Sequence, residues 1–176
     1  MSLPQRSIID RMRGAAMLDV ATYEEVEHDR GATGQAFVVV VLAAICAGIG
    51  SLGHGGSGFI GGLIGAILGW LSWSAVTMFV GTRLFGGTAD WGELLRTLGF
   101  AQAPGVLAIL GIIPVLGGLV KFVVWIWLLV AGIVAIRQAL DIDTGKAILT
   151  ALVGWLAMVV IGVIFGMIFG IGSMFG

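Results

Sequence analysis

Residues 61–79 read GGLIGAILGWLSWSAVTMF and contain no charged side chain. An apolar stretch of about 20 residues is long enough to cross the hydrocarbon core of a bilayer as a helix. Gly61, Gly65 and Gly69 recur every four residues, so they fall on one face of that helix. A glycine inside a helix in water costs roughly 1 kcal/mol relative to alanine. The pattern is therefore typical of a helix dissolved in lipid, where small residues let two helices approach closely.

The composition of the whole chain indicates the same solvent. Of its 176 residues, 59% are hydrophobic and 11% are charged, and the mean hydropathy is +1.09. A soluble domain carries about 25% charged residues. The net charge is −1, and the sequence has no basic stripe, which excludes nucleic-acid binding. The first thirty residues are polar, so we expect no signal peptide and expect the first apolar span to remain as an anchor.

The apolar stretches predict an all-α integral membrane protein whose five transmembrane helices form a compact bundle. Residues 1–35 are a head, residues 36–170 the five-span domain and residues 171–176 a short tail. Gln102 and Pro104 interrupt the short third span, so a re-entrant or broken segment is the alternative to a full crossing. The predicted spans cover residues 35–52, 59–84, 98–113, 118–140 and 147–169.

The basic residues predict the orientation, because lysine and arginine are enriched in cytoplasmic loops. With the amino terminus in the cytoplasm, five crossings place eight of the nine basic residues inside and only Lys121 outside. The carboxyl terminus then lies outside, and a four-span model would weaken this bias. The eight inner residues are Arg6, Arg11, Arg13, Arg30, Arg83, Arg96, Arg137 and Lys146.

The head is predicted to hold two short helices. Ser7 with Asp10, and Thr22 with Glu25, have the spacing of capping boxes. The first helix is amphipathic, so it either lies in the membrane interface or packs on the end of the bundle. The second is acidic, and we expect it to be solvated. The apolar face of the first helix comprises Ile8, Met12 and Ala16.

A second stripe of glycines at four-residue spacing occurs in the fifth span. Small residues are the means by which helices associate in lipid. We expect these stripes to pack within one chain, and pairing between chains is the alternative. The predicted helix-packing positions are Gly61, Gly65, Gly69, Gly162, Gly166 and Gly170.

Few polar side chains are predicted to lie at membrane depth, where they would mark functional sites. Arg96 and Arg137 lie at the inner boundary, and a surface ion pair with Glu93 is the simple interpretation for Arg96. We expect Gln102 to bond a neighbouring helix or the carbonyls freed by Pro104, and a substrate-binding role is the alternative. These four positions, Arg96, Gln102, Pro104 and Arg137, are the candidate polar or kink sites.

The sequence indicates no cofactor. His28 and His54 both lie outside the predicted spans, which argues against haem ligation by two histidines within the bilayer. We find no nucleophile motif, phosphate loop or dinucleotide fingerprint, so we expect no metal, no cofactor and no enzymatic activity.

Five tryptophans lie deeper than an interfacial belt of aromatic residues would. Each buried indole N–H needs an acceptor, and Ser72, Ser74 and Thr77 are the candidates. We expect these indoles to pack opposite the glycines, and a cavity for a lipid or a quinone is the alternative. The five are Trp70, Trp73, Trp125, Trp127 and Trp155.

The chain resembles the bacterial branch of the Yip family, the Ypt/Rab-interacting membrane proteins, over roughly residues 36–160 and more loosely in the head, with the matching motifs in residues 95–147. The resemblance implies five spans and a cytoplasmic amino terminus. Eukaryotic members act in vesicle trafficking and bind small GTPases, but their aromatic-glycine-proline signature is not evident here, so a GTPase partner is not implied. The matching elements are Phe100-Ala101-Gln102-Ala103-Pro104, Ile113-Pro114 with Gly117, Trp127, and the run from Ala135 to Leu140.

We therefore expect a non-enzymatic protein of a bacterial inner membrane that acts as a scaffold or accessory subunit through helix packing and membrane organisation. Its expected partners are membrane lipid and either another membrane protein or a second copy of itself. The alternative is a small carrier or channel for a small or lipidic solute, with a path near the broken third span.

Overall fold

The computed structural model describes residues 6–52, 58–113 and 115–174, and it describes side chains as far as residue 164 and at residue 167. His54 and Pro114 lie outside these ranges. The described chain forms seven α-helices and one 3-10 helix. Their bounds are α1 Ile8–Ala16, α2 Val20–His28, α3 Ala32–Ser51, α4 Phe59–Leu84, α5 Trp91–Phe100, the 3-10 helix Ala103–Ile112, α6 Gly117–Ala139 and α7 Thr144–Met174.

Five segments are long and apolar enough to cross a membrane, which confirms the predicted all-α, five-span fold. They are α3, α4, α5 together with the 3-10 helix, α6 and α7. Four of them begin within three residues of the predicted starts. The third begins at Trp91 rather than at residue 98, because Asp90 and Glu93 start a helix there. The Asp90 side chain accepts from the Glu93 amide at 2.8 Å, and the Glu93 side chain accepts from the Asp90 amide at 2.8 Å.

The third span is long enough to cross, but it is broken in the middle. The α-helix ends at Phe100, and the 3-10 helix begins at Ala103. Pro104 has no amide hydrogen, so an α-helix cannot continue regularly through it. The Gly105 amide instead bonds the Gln102 carbonyl at 2.8 Å, three residues back. A 3-10 run of ten residues is unusually long, so packing must stabilise it.

The 3-10 helix packs on α3 through small residues. A 3-10 helix has three residues per turn, so residues three apart lie on one face. On α3, small residues recur every seven positions, which is about two α-helical turns. The small residues of this contact are Gly105, Ala108 and Gly111 on the 3-10 helix and Ala43 and Gly50 on α3, with Ala36 facing Gly99 one element earlier.

The two backbones approach closely along this contact. A Cβ atom added to Gly105 would lie 3.1 Å from the Cβ of Ala43, and one added to Gly111 would lie 3.1 Å from the Gly50 carbonyl oxygen. A Cβ atom on Gly50 would overlap the carbonyl group of Ala108. The close packing of small residues in this chain therefore joins α3 to the third span.

In the glycine stripe of α4, Gly61 and Gly65 face away from the described part of the chain, whereas Gly69 borders a cavity that α3 and α4 line together. A Cβ atom added to any of the three would meet no atom of the described residues within 4 Å. Among the described residues, the expectation that these glycines pack closely against another helix of the same chain is therefore wrong. The reason is that α4 buries a different face, which includes Trp70 and Thr77.

The stripe of α7 is described only in part. Gly162 also has open space around the position of a Cβ atom. Gly166 and Gly170 lie outside the residues whose side-chain surroundings are described. Contact between α7 and α4 occurs at Gly154, where an added Cβ atom would lie 3.5 Å from the ring of Trp73.

The helices α1 and α2 pack on one end of the bundle, which we call the head end. Ser7 caps α1 as predicted, since its side chain accepts from the Asp10 amide. The second predicted capping box is wrong, because α2 begins at Val20 after Asp19 and Thr22 is buried inside it. The face of α1 predicted to be apolar packs against the core, whereas Ile9 is 72% exposed. The helix α1 therefore packs against the bundle through this face.

Candidate functional site

A buried arginine on α1 joins the head to the bundle. Arg11 is 1% exposed, and its guanidinium donates to Glu25 at 2.9 and 3.1 Å and to Asp29 at 2.7 Å. It also donates to the side-chain oxygen of Gln35 on α3 at 3.0 Å. Its hydrogen bond holds the pKa of Asp29 below the usual range. The cation is thus paired and fully bonded, which offsets the cost of its burial.

A second buried arginine comes from α5. Arg96 is 5% exposed, and its Nε donates to the carbonyl oxygens of Val26 at 3.0 Å and Glu27 at 2.9 Å. Its Nη2 also donates to the Glu27 carbonyl. These carbonyls end α2 and lie at the negative end of its dipole, where a cation is favourable. The predicted surface pair with Glu93 is wrong, because Glu93 caps α5 at Asp90 while Arg96 caps α2.

The second head helix is buried, which contradicts the expectation that it is solvated. Tyr23 and Val26 are fully buried, and the Tyr23 hydroxyl donates to the Ala15 carbonyl at 3.1 Å. Of the carboxylates of this acidic helix, Glu25 accepts from Arg11, Glu24 is exposed and Glu27 is buried.

Burial shifts the pKa of Glu27, a titratable group of the head, toward neutral pH. It is 7% exposed, and desolvation raises its pKa to about 7. The charge of His28 opposes this rise, whereas Asp141, Glu93 and Glu24 add to it. Glu27 therefore changes charge close to neutral pH.

Arg137 is half-buried at the head end and belongs to a chain of side-chain contacts. Its Nε donates to the Gln138 oxygen at 2.9 Å, and the Gln138 nitrogen donates to Glu24 at 3.2 Å. The following turn is capped by Asp143, which accepts from the Lys146 amide at 2.9 Å. Arg96 and Arg137 thus make their contacts at the head end. Neither contact lies at the middle of the third span. Within the described ranges, no group of three His, Cys, Asp or Glu side chains could hold a metal ion.

The head reaches along α6 as well. The Trp127 indole donates to the carbonyl oxygen of Ala16 at 2.7 Å. Ala16 is the last residue of α1, where helix carbonyls lack intrahelical partners. Trp127 precedes the end of α6 at Ala139 by twelve residues, or about 18 Å along the helix axis. The end of α1 therefore lies beside the middle of a membrane-spanning helix.

Gln102 lies in the middle of the third span and lines two adjoining cavities. The inner cavity, of 370 Å³, lies among α3, α4, α6 and the third span. The second, which we call the mid-span cleft, has 580 Å³ and lies among α4, α5, α6 and α7. Trp73, Leu98, Gln102 and Leu128 line both. The Gln102 side chain makes no hydrogen bond with the residues that the structure describes, so the predicted bond to a helix or freed carbonyl is not formed there.

The tryptophans fall into two groups by their hydrogen bonds. Trp70 donates to the Leu95 carbonyl at 3.1 Å, as Trp127 does to that of Ala16. The predicted hydroxyl acceptors are wrong for these two, and Ser74 itself donates to the Trp70 carbonyl at 2.8 Å. The other four indoles have no acceptor within residues 6–52, 58–113 and 115–164. Three of them, Trp73, Trp125 and Trp155, line the mid-span cleft, and the fourth, Trp91, lies at the start of α5.

One comparison with known proteins finds a match. A family model described as the Yip1 domain matches residues 19–167, from the start of the second head helix to the fifth span. No curated protein and no solved structure matches the chain significantly.

Proposed function

Because this chain belongs to the Yip1 domain family, we propose that it is a non-enzymatic scaffold or accessory subunit that acts in the membrane through helix packing. A bacterial inner membrane is the proposed location. The predicted resemblance to this family is confirmed by the match over residues 19–167.

The glycine face of α4 carries this proposal. A Cβ atom added to Gly61, Gly65 or Gly69 would meet no described atom within 4 Å, and large apolar side chains such as Ile64 and Leu68 flank them in an exposed position. A shallow glycine groove between large side chains lets a second helix approach closely in lipid. We assign this groove to the same face of a second copy, since glycine-rich helices commonly pair with themselves around a two-fold axis.

The proposed orientation places the head in the cytoplasm and the carboxyl terminus outside. Arg96 and Arg137 lie at the head end, whereas Lys121 lies beside Gly111 near the other end. Basic residues favour the cytoplasmic side, which supports this orientation. Five crossings then put the two termini in different compartments.

Self-association in lipid nanodiscs or mild detergent tests the proposal. We expect Gly65→Leu to shift the wild-type assembly to monomer, because the leucine fills the groove. Gly118→Leu is the matched control, since Gly118 also has no atom within 4 Å but lies on α6. An unchanged assembly of folded Gly65→Leu would contradict pairing through α4. A membrane protein that co-purifies with wild type and not with Gly65→Leu would support the accessory-subunit form instead.

A small carrier or channel is the second candidate. The observation that favours it is the position of Gln102, which lines both the inner cavity and the mid-span cleft. Broken helices border the substrate site in many transporters. Solute flux in liposomes that is abolished by Gln102→Leu would favour this function over the scaffold.

A further inference from the structure

We infer that the mid-span cleft binds a lipid-soluble molecule of the quinone class, in which a conjugated ring carries carbonyl oxygens on an apolar body. This inference concerns a ligand site and does not depend on pairing through the glycines of α4. It rests on the size of the cleft, on the unpaired hydrogen-bond donors that line it, and on their depth.

The size and lining of the cleft suit a small apolar molecule. Its volume of 580 Å³ lies within the usual range of ligand pockets. Four helices contribute mostly aliphatic and aromatic side chains to it. Such a lining favours an apolar body over a hydrated solute.

Four side chains with unpaired hydrogen-bond donors line this cleft. Gln102 has a free carboxamide, and Trp73, Trp125 and Trp155 have indole N–H groups without an acceptor among the described residues. Trp70 and Trp127, which do not line the cleft, both donate to backbone carbonyls, whereas, within the described ranges, the buried hydroxyls of Thr77 and Thr150 are unpaired outside it. An unpaired N–H is costly in hydrocarbon, where no water can replace the missing partner. The N–H groups of the cleft therefore have no acceptor among the described residues, and a ligand with carbonyl oxygens would supply one.

The depth of these donors distinguishes the ligand from an ordinary phospholipid. Gln102 follows the start of the third span at Trp91 by eleven residues and precedes its end at Ile112 by ten. Trp73 and Trp155 each lie eleven residues, or about 16 Å, from the ends of their helices at Leu84 and Thr144. Acyl chains offer no acceptor at that depth. A ring with carbonyl oxygens does, and indole faces stack favourably on a conjugated ring.

The cleft is accessible from the side that would face lipid. Trp125 is 58% exposed and Trp155 is 57% exposed, so these two indoles stand at its rim on α6 and α7. Leu152 beside them is also more than half exposed. A lipid-soluble ligand can therefore enter laterally between α6 and α7.

The test uses the full chain in lipid nanodiscs and, as probe, a benzoquinone with a medium-length alkyl tail. Binding is measured by equilibrium partitioning of the labelled probe between protein-containing and empty nanodiscs. We expect saturable binding that Gln102→Leu weakens about threefold to tenfold, the loss expected for one hydrogen bond. Gln138→Leu is the matched control, because Gln138 lies at the head end outside the cleft, and it should bind as wild type does.

A second variant keeps the inference falsifiable if Gln102→Leu fails to fold. Trp155→Phe retains an aromatic ring at an exposed position and removes the five-membered ring with its N–H, so we expect folded protein with weaker binding. Trp91→Phe, at the head end of α5, is its control and should bind as wild type does. Probe binding by Trp155→Phe and by folded Gln102→Leu equal to that of wild type would overturn the inference. Equal competition by an alkane of the same length would also overturn it, since the cleft would then be a groove for lipid tails.

Discussion

The indole of Trp127, halfway along α6, donates a hydrogen bond of 2.7 Å to the carbonyl oxygen of Ala16, the last residue of α1. The bond joins residues 111 positions apart. It satisfies two polar groups with one contact, since the indole needs an acceptor and the helix end needs a donor. The head is therefore part of the bundle rather than a separate domain tethered to it.

Replacing Trp127 by phenylalanine should loosen α1 without unfolding the bundle. The variant leaves the Ala16 carbonyl unpaired, so we expect about 1–3 kcal/mol of local destabilisation. Amide hydrogen exchange of α1 in detergent should speed up, whereas exchange in α3 should not. Trp125→Phe is the control, because Trp125 is exposed and its indole N–H makes no bond to the described residues. Equal exchange of α1 in both variants would contradict the role of this bond.

Replacing Arg96 by alanine should detach the end of α2. The change removes three donated hydrogen bonds and leaves the Val26 and Glu27 carbonyls unpaired at a buried site. Losing one hydrogen bond from a charged donor costs about 1.5–3 kcal/mol of stability. We therefore expect a clear fall in unfolding temperature. Arg83→Ala serves for comparison, since Arg83 is exposed at the end of α4. If the two variants unfold at the same temperature, Arg96 does not anchor α2.

The stability of the head should fall as pH rises through neutrality. The pKa of Glu27 is raised from 4.5 to about 7 by burial, so the folded state binds the proton more tightly than the unfolded state does. This contribution is fully present below about pH 4.5 and is lost as pH rises through about 7, by up to about 3 kcal/mol.

Glu27→Gln tests this pH dependence. Because glutamine resembles the protonated carboxyl group, the variant should match wild type near pH 5 and unfold at a higher temperature at pH 8. Glu24→Gln, at an exposed position of the same helix, should change little at either pH. An unfolding temperature that falls from pH 5 to pH 8 by the same amount in wild type and in Glu27→Gln would show that Glu27 does not cause the fall.

Two glycine-to-alanine changes should have opposite effects on stability. Gly50→Ala places a methyl group against the Ala108 carbonyl, so we expect a loss of about 1–3 kcal/mol or more. Gly65→Ala meets no atom within 4 Å, and alanine is the better helix former, so the monomer should gain stability or stay unchanged. Thermal unfolding of both variants in detergent, with helix content followed by circular dichroism, distinguishes the effects. A loss of stability in Gly65→Ala equal to that in Gly50→Ala would mean that α4 packs differently.

Local signals in the chain were interpreted correctly where the partner of a group lies a few residues away. Ser7 caps α1 through the Asp10 amide, because such a cap closes within one turn. Thr22 has the same spacing to Glu25, yet Asp19 precedes the helix that contains it. Asp19 and Thr22, three residues apart, could each precede the first turn of α2. Their spacing alone does not show which of them begins the helix.

The candidate site was predicted only in part. Gln102 and Pro104 were recognised as the polar and breaking positions of the third span, since both properties are intrinsic to the residues. The three indoles without acceptors could not be separated from the two with acceptors, because Trp127 finds its acceptor 111 residues away in α1. The buried roles of Arg11 and Arg96 were likewise missed, since arginines near a membrane boundary are also common on surfaces.

By itself the sequence determined the solvent, the number of spans and their approximate ends. These follow from the apolar length of each segment and from its charged or turn-forming flanks, which are properties of neighbours along the chain. Only the tertiary structure decided which glycines meet another helix. Gly65 and Gly50 look alike in sequence, but Gly50 faces Ala108 at close range whereas Gly65 faces open space. The rotation of each helix about its axis makes that difference, and in lipid it depends on how all the helices pack together, because hydrophobicity favours no face.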